Sequence, residues 1–184
     1  MSKLPRWAEI GRKGWTHTGA RRPSFAPAPG EGQESVWDYP RPPRLVGDDR
    51  RVRVMLDGLV IADTRRAARV LETSSPPTFY LPPEDVTMSH LERAAGGSRC
   101  EWKGEATYHD VVVGDRRVER VAWSYDAPFG EFATIAGWVS FYPSRLECWV
   151  DEERVKPQPG GFYGGWITSE LVGPFKGEVG TGGW

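Results

Sequence analysis

Trp102-Lys103-Gly104-Glu105-Ala106-Thr107-Tyr108-His109-Asp110-Val111-Val112-Val113 runs without a proline. Successive side chains of a strand point to opposite faces. Read as a strand, Gly104, Ala106, Tyr108, Asp110 and Val112 share one face. Lys103, Glu105, Thr107, His109, Val111 and Val113 share the other. Gly114-Asp115 turns the chain and Val118–Tyr125 returns along it. Working outward, Val52–Leu56 alternates, Asp57-Gly58 supplies the φ > 0 residues of a type I′ turn, and Leu59–Ala62 is the return strand. Residues 64–72 fit either a two-turn helix or an irregular strand. Pro76-Pro77 is expected to end that segment, because proline donates no hydrogen bond and restricts its predecessor. Thr78–Leu81 follows as a short strand, Glu84–Arg93 as a short helical turn and Ala95–Ser98 as a loop. Beyond the hairpin, Phe132–Phe141 is apolar and Leu146–Val150 reads as a strand. Strands every 8–12 residues with turn signals between them predict a mainly β fold, a single small antiparallel barrel or sandwich.

Composition sets limits on function. Of 184 residues, 24 are Lys or Arg and 25 are Asp or Glu, so binding nucleic acid by bulk charge is excluded. Gly 22 and Pro 16 are an excess that suggests disorder, yet nine Trp suggest burial. Residues 1–50 hold 13 of these Gly and Pro, 51–152 hold 13, and 153–184 hold 12. The chain divides accordingly into a Pro/Gly-rich arm at 1–50, a β core at 51–152 and a Gly/aromatic arm at 153–184. The arms are expected either to wrap the core or to dock on a second subunit. The start of the chain has no apolar signal region, and no stretch approaches the roughly 20 apolar residues of a membrane helix. Cys100 and Cys148 are two thiols without CxxC spacing, so a reduced, cytoplasmic protein that makes no membrane contact is expected.

Several residues could carry chemistry. On an ideal strand Lys103 and Glu105 are co-facial, a cation and a carboxylate available for anion binding and proton transfer. The competing reading is a solvated ion pair worth little. Gly104 would allow a close approach by ligand or backbone. Trp123 and Tyr125 share a strand face, and Tyr80 and Tyr142 stand at strand ends, so these aromatics can line a pocket or fill the core. Cys100 is a candidate thiol beside Arg99 and Lys103, or an inert one. His17, His90 and His109 are scattered, so no metal and no cofactor is expected. Basic pairs such as Arg65-Arg66 are offset by nearby acids, which argues against nucleic acid.

Five segments carry a resemblance: Val60–Thr64; Pro77–Pro82 with Asp85-Val86; Cys100–Tyr108; Ala122–Tyr125; and Ile135–Pro143. In order and spacing they resemble the domain of unknown function family 427, in some catalogues given a nucleotidyltransferase-like name. The match spans about residues 52–152, and the C-terminal arm is similar to the extension of actinobacterial members. The resemblance implies a small antiparallel structure of the β-tent type. It places motif positions at Lys103, Gly104, Ala106, Tyr108, Trp123, Tyr125, Phe141 and Tyr142, with Cys100 also matching. Glu101 stands where the family usually has proline. No Asp-x-Asp follows Gly97-Ser98, so the metal-holding carboxylate pair of a nucleotidyltransferase is missing.

The expected function is binding of a small polar or anionic molecule in a pocket on the β core. Lys103 and Glu105 are the acid/base candidates, and Tyr80, Cys100, Gly104, Tyr108, Trp123, Tyr125 and Tyr142 the ligand-binding candidates. The alternative is a non-catalytic module that forms a homo-oligomer through its arms. A third, nucleotide handling, follows from the family name alone.

Overall fold

A computed structural model describes residues 4–184. The reading of the chain start falls partly on residues 1–3, outside the described residues. Helix α1 (Arg6–Arg12) comes first, then strands β1 (Glu34–Ser35), β2 (Arg44–Asp48), β3 (Val52–Leu56), β4 (Leu59–Thr64), β5 (Ala67–Glu72) and β6 (Ser75–Tyr80). The long strands β7 (Leu91–Cys100), β8 (Gly104–Val113) and β9 (Arg116–Ser124) follow, then β10 (Val139–Phe141) and β11 (Glu147–Val150). Four two-residue strands finish the chain: β12 (Glu153–Arg154), β13 (Lys156–Pro157), β14 (Trp166–Ile167) and β15 (Leu171–Val172).

The protein is mainly β. Antiparallel sheets ordered β10-β9-β8-β7, β12-β11-β3-β4 and β2-β5-β6 surround the core without closing into a barrel, so the architecture is sandwich-like. Inward residues of all three sheets, among them Val54, Ile61, Phe79, Val111, Val121 and Phe141, form the main core. Both expected hairpins are present, and Asp57 and Gly58 adopt the positive φ their turn requires.

The structure resolves the one open alternative and departs from local expectations at three places. Residues 67–72 are a strand, because β5 pairs on one side with β2 and on the other with β6. Pro76-Pro77 does not end that region but lies inside β6. This strand is the edge of its sheet, where a missing N–H leaves no ladder bond unmade. Ala95–Ser98 is not a loop. It belongs to β7, whose register against β8 shifts between Arg93 and Gly97, with Gly96 at φ +80° taking up the extra length. Residues 84–93 hold two single 3-10 turns, Pro83–Asp85 and Met88–His90, before β7 begins.

Both arms pack on the core. β1 of the first arm and β15 of the last pair in parallel with each other. Trp37 is fully buried, meets His17, Phe25 and Trp184 edge-on, and donates its Nε1–H to the Pro174 carbonyl at 2.8 Å. Trp166 stacks on Phe79 with centroids 4.9 Å apart and donates to the Phe141 carbonyl at 3.0 Å. Each indole thus buries a large apolar surface while its N–H is satisfied. A partly buried ionic cluster ties the pieces together: Arg50 binds Asp48 at 2.6 Å and Glu170 at 2.8 Å, and Arg69 reaches Asp48 at 3.1 Å.

Candidate functional site

Lys103 and Glu105 do not share a face. The alternation expected from Trp102 onward starts only with β8 at Gly104, whose φ of +108° is a backbone conformation favouring glycine. That twist sends Lys103 inward, 8 % exposed, while the Glu105 side chain is 70 % exposed and pairs with Arg99 at 3.1 Å. His109 and Thr107 follow Glu105 on the face opposite Tyr108. Gly104 itself lines nothing; it turns the chain beside Ala127 and Phe129.

Lys103 opens into a cavity of about 280 Å³. The sheet side contributes Tyr80 from the end of β6, Cys100 from the end of β7, Tyr108 from β8 and Trp123 from β9, with Tyr125 and Tyr142 just past β9 and β10. These are the aromatic and thiol positions singled out in the sequence. Of the nine candidates, the structure brings seven together and leaves Gly104 and Glu105 outside. The acid/base pair is therefore not assembled.

The cavity is aromatic and cationic. The Lys103 ammonium lies 5.8 Å from the Tyr125 ring centroid and 5.7 Å from that of Phe132. Such faces attract a cation. Burial pulls the Lys103 pKa down, but Cys100, Tyr80 and Glu72 favour the ammonium, and the balance lies above the ordinary lysine value. Burial raises Tyr80 and Tyr125, so both phenols stay neutral. Trp123 donates Nε1–H to the Tyr80 hydroxyl at 3.4 Å, and its ring stands 4.5 Å from that of Tyr142. The Tyr108 hydroxyl donates to Ser98 Oγ at 3.0 Å and the Tyr142 hydroxyl to the Phe162 carbonyl at 3.2 Å.

Further core residues, among them Val70, Glu72 and Thr78, complete the sheet side, and the arms close the cavity, a contribution the sequence reading misses. Trp15 enters from the first arm; Gln158, Phe162, Tyr163, Gly164 and Lys176 come from the last. The aromatic-glycine run at 160–166 was a visible signal for the latter group, while nothing near Lys176 marked it. Glu101, the departure from the family pattern, explains the first arm's position: Trp15 Nε1 donates to its carboxylate at 2.8 Å and Arg12 Nε to its main-chain oxygen at 2.8 Å. The indole of Trp15 also carries Arg41 at 4.2 Å and Lys176 at 3.9 Å from its centroid.

A Ser, a His and an Asp meet elsewhere. His109 Nε2 lies 2.9 Å from Ser124 Oγ, which donates to Asp126 at 3.1 Å. The carboxylate holds the serine rather than orienting the histidine, and Ser124 is buried, so the order of contacts is not that of a nucleophile relay. Among the described residues, no group of three or more His, Cys, Asp and Glu is placed to hold a metal ion, and no helix is long and apolar enough to cross a membrane.

No curated protein matches the chain. Residues 44–152 match the family described as domain of unknown function (DUF427). They include β2 through β11 and, on or between those strands, Tyr80, Cys100, Lys103, Tyr108, Trp123, Tyr125 and Tyr142. Because that match takes in more than half of its residues, the chain belongs to the DUF427 family.

Proposed function

We propose that the cavity binds a small anionic molecule and that Lys103 anchors it. One observation carries this reading: Lys103 is buried, lines the cavity and forms no ion pair with a carboxylate among the described residues. Cys100, Tyr80 and Glu72 favour the ammonium without a contact ion pair, and a ligand anion would supply that direct partner. The neutral phenols of Tyr80 and Tyr125 add hydrogen-bonding groups, and Trp123 forms an apolar wall. The reading is one of binding rather than acid/base turnover, since Glu105 faces solvent and the two acids that do line the cavity are engaged. Glu72 pairs with Arg41 at 3.2 Å and Glu101 accepts from Trp15. Trp15, Trp37 and Trp166 of the arms are spent on the chain's own core and cavity, which favours this reading over oligomerisation through them. Two free thiols, Cys100 and Cys148, support a reducing compartment, the cytoplasm.

The test is a thermal-shift screen of wild type and Lys103→Met against small carboxylates and phosphate esters, followed by calorimetry on each hit. Specific binding raises apparent stability. A charge-assisted hydrogen bond contributes about 1.5–3 kcal/mol, so Lys103→Met is expected to weaken a hit by roughly 10- to 100-fold. Hits that bind the variant with unchanged affinity would remove Lys103 from the role.

A further inference from the structure

We propose that Cys100 is a nucleophile that bonds covalently to a short electrophilic carboxylate, an acid whose carbon next to the carboxylate carries a leaving group. This rests on the reading of Lys103 as an anion anchor and goes beyond it, from binding to a reaction.

The turn between β7 and β8 places the two groups together. Glu101, Trp102 and Lys103 form it, and Cys100 pairs in register with Gly104 across it. The φ of +108° at Gly104 sends Lys103 inward, to the cavity that Cys100 also lines. Arg99, the other cation beside the thiol in sequence, is largely exposed and engaged by Glu105 at 3.1 Å. Lys103 is 8 % exposed and has no carboxylate in an ion pair among the described residues. Burial opposes its ammonium, and Cys100, through charge and side-chain hydrogen bonding, leads the groups that favour it. An ammonium has three donors, so it can serve the sulfur and the acid of a ligand at once.

Among the groups around Lys103, the sulfur is the one suited to attack. Burial keeps Tyr80 and Tyr125 as neutral phenols. Cysteine is nucleophilic through even the small thiolate fraction present at neutral pH. What the cavity adds is position. An acid group held on Lys103 sets its adjacent carbon beside the sulfur, and two held groups react without a separate encounter. Because ammonium and sulfur are neighbours, the electrophilic carbon belongs next to the acid rather than at the far end of a long chain. The step needs no further reagent. The thiol proton passes to solvent and the sulfur's electron pair forms the S–C bond. The carbon's bond to the leaving group breaks, and the leaving group departs with that pair as an anion. The second thiol, Cys148, is 1 % exposed in the main core, where burial pushes its pKa well up, so it serves as an internal control.

The experiment treats the full chain and Lys103→Met at neutral pH with iodoacetate or iodoacetamide, and follows the adducts by intact mass and peptide mapping. The two reagents share a leaving group and differ in charge. At a thiolate with no cation beside it the neutral amide reacts faster, because like charges repel. Expected in wild type is modification of Cys100 and not of Cys148. Iodoacetate should be the faster reagent by about tenfold or more, the effect of one charge-assisted hydrogen bond. Lys103→Met should return the advantage to iodoacetamide. Wild-type Cys100 that reacts faster with iodoacetamide, or with neither reagent, would overturn the inference. A thermal-shift series with propionate and benzoate separates that failure from failure of the anion reading. Stabilisation that is lost in Lys103→Met, beside an unreactive Cys100, would overturn this inference alone. No stabilisation and no reaction would overturn both. The wild-type comparison of the two reagents decides the matter even should Lys103→Met fold poorly.

Discussion

Gly164 lies flat against the indole of Trp123: a β-carbon at 164 would stand 2.1 Å from the ring's Cη2. This contact joins the C-terminal arm to the wall of the cavity, and it demands a residue with no side chain. The same is true of Gly160 and Gly177, where an added β-carbon on either would lie 2.1 Å from a main-chain oxygen of the other's segment. At these three positions glycine serves close packing rather than freedom of motion.

Gly164→Ala is accordingly expected to destabilise the protein by about 1–3 kcal/mol, the usual cost of overpacking a filled site. Thermal melts followed by tryptophan fluorescence would show both the lower midpoint and the changed surroundings of Trp123. An unchanged midpoint and spectrum would mean the arm is not seated on that ring.

Glu105→Gln is expected to be silent. Its partner Arg99 and its own side chain are both largely exposed. Exposed pairs of this kind contribute about 0–1 kcal/mol. Neither the melting midpoint nor the stabilisation by an anionic ligand should move, whereas Lys103→Met should reduce the latter. Loss of ligand stabilisation in Glu105→Gln would return that carboxylate to the site.

Asp48 should make the fold sensitive to acid. Burial pushes its carboxyl upward, but the hydrogen bonds and charge of Arg50, with Arg69, outweigh that and hold it below the ordinary value. A carboxylate with a depressed pKa in the folded state contributes stability above its unfolded value, about 3.9, and loses it as pH falls through the folded one. Asp48→Asn should cost roughly 3–5 kcal/mol at neutral pH, as expected when a buried pair is broken. It should also flatten the decline of stability below about pH 4. Denaturant titrations of both proteins across that range would check the sign and the slope.

Much of the core was legible in the sequence because strand alternation and turn chemistry are local. Asp57-Gly58 and Gly114 mark their hairpins, and strand position together with the family resemblance marks Tyr80, Cys100, Tyr108, Trp123, Tyr125 and Tyr142 as pocket candidates. The errors arose where a local rule met a tertiary exception. Pro76-Pro77 reads as a break until β6 is seen to be an edge strand, and Ala95–Ser98 reads as a loop until β8 gives it a partner. Lys103 and Glu105 read as co-facial because parity cannot register a positive φ at Gly104.

The sequence by itself determined that the chain is mainly β, which segments form its hairpins and to which family it is similar. These depend on periods of two and on residue types that favour turns, both set within a few neighbouring positions. Only the tertiary structure decided that Lys103 turns inward and Glu105 outward. Only it brought Trp15 and Lys176, 161 positions apart, to within 3.9 Å in one cavity wall. Long-range placement depends on which surfaces fit when buried together, and no local pattern encodes that fit.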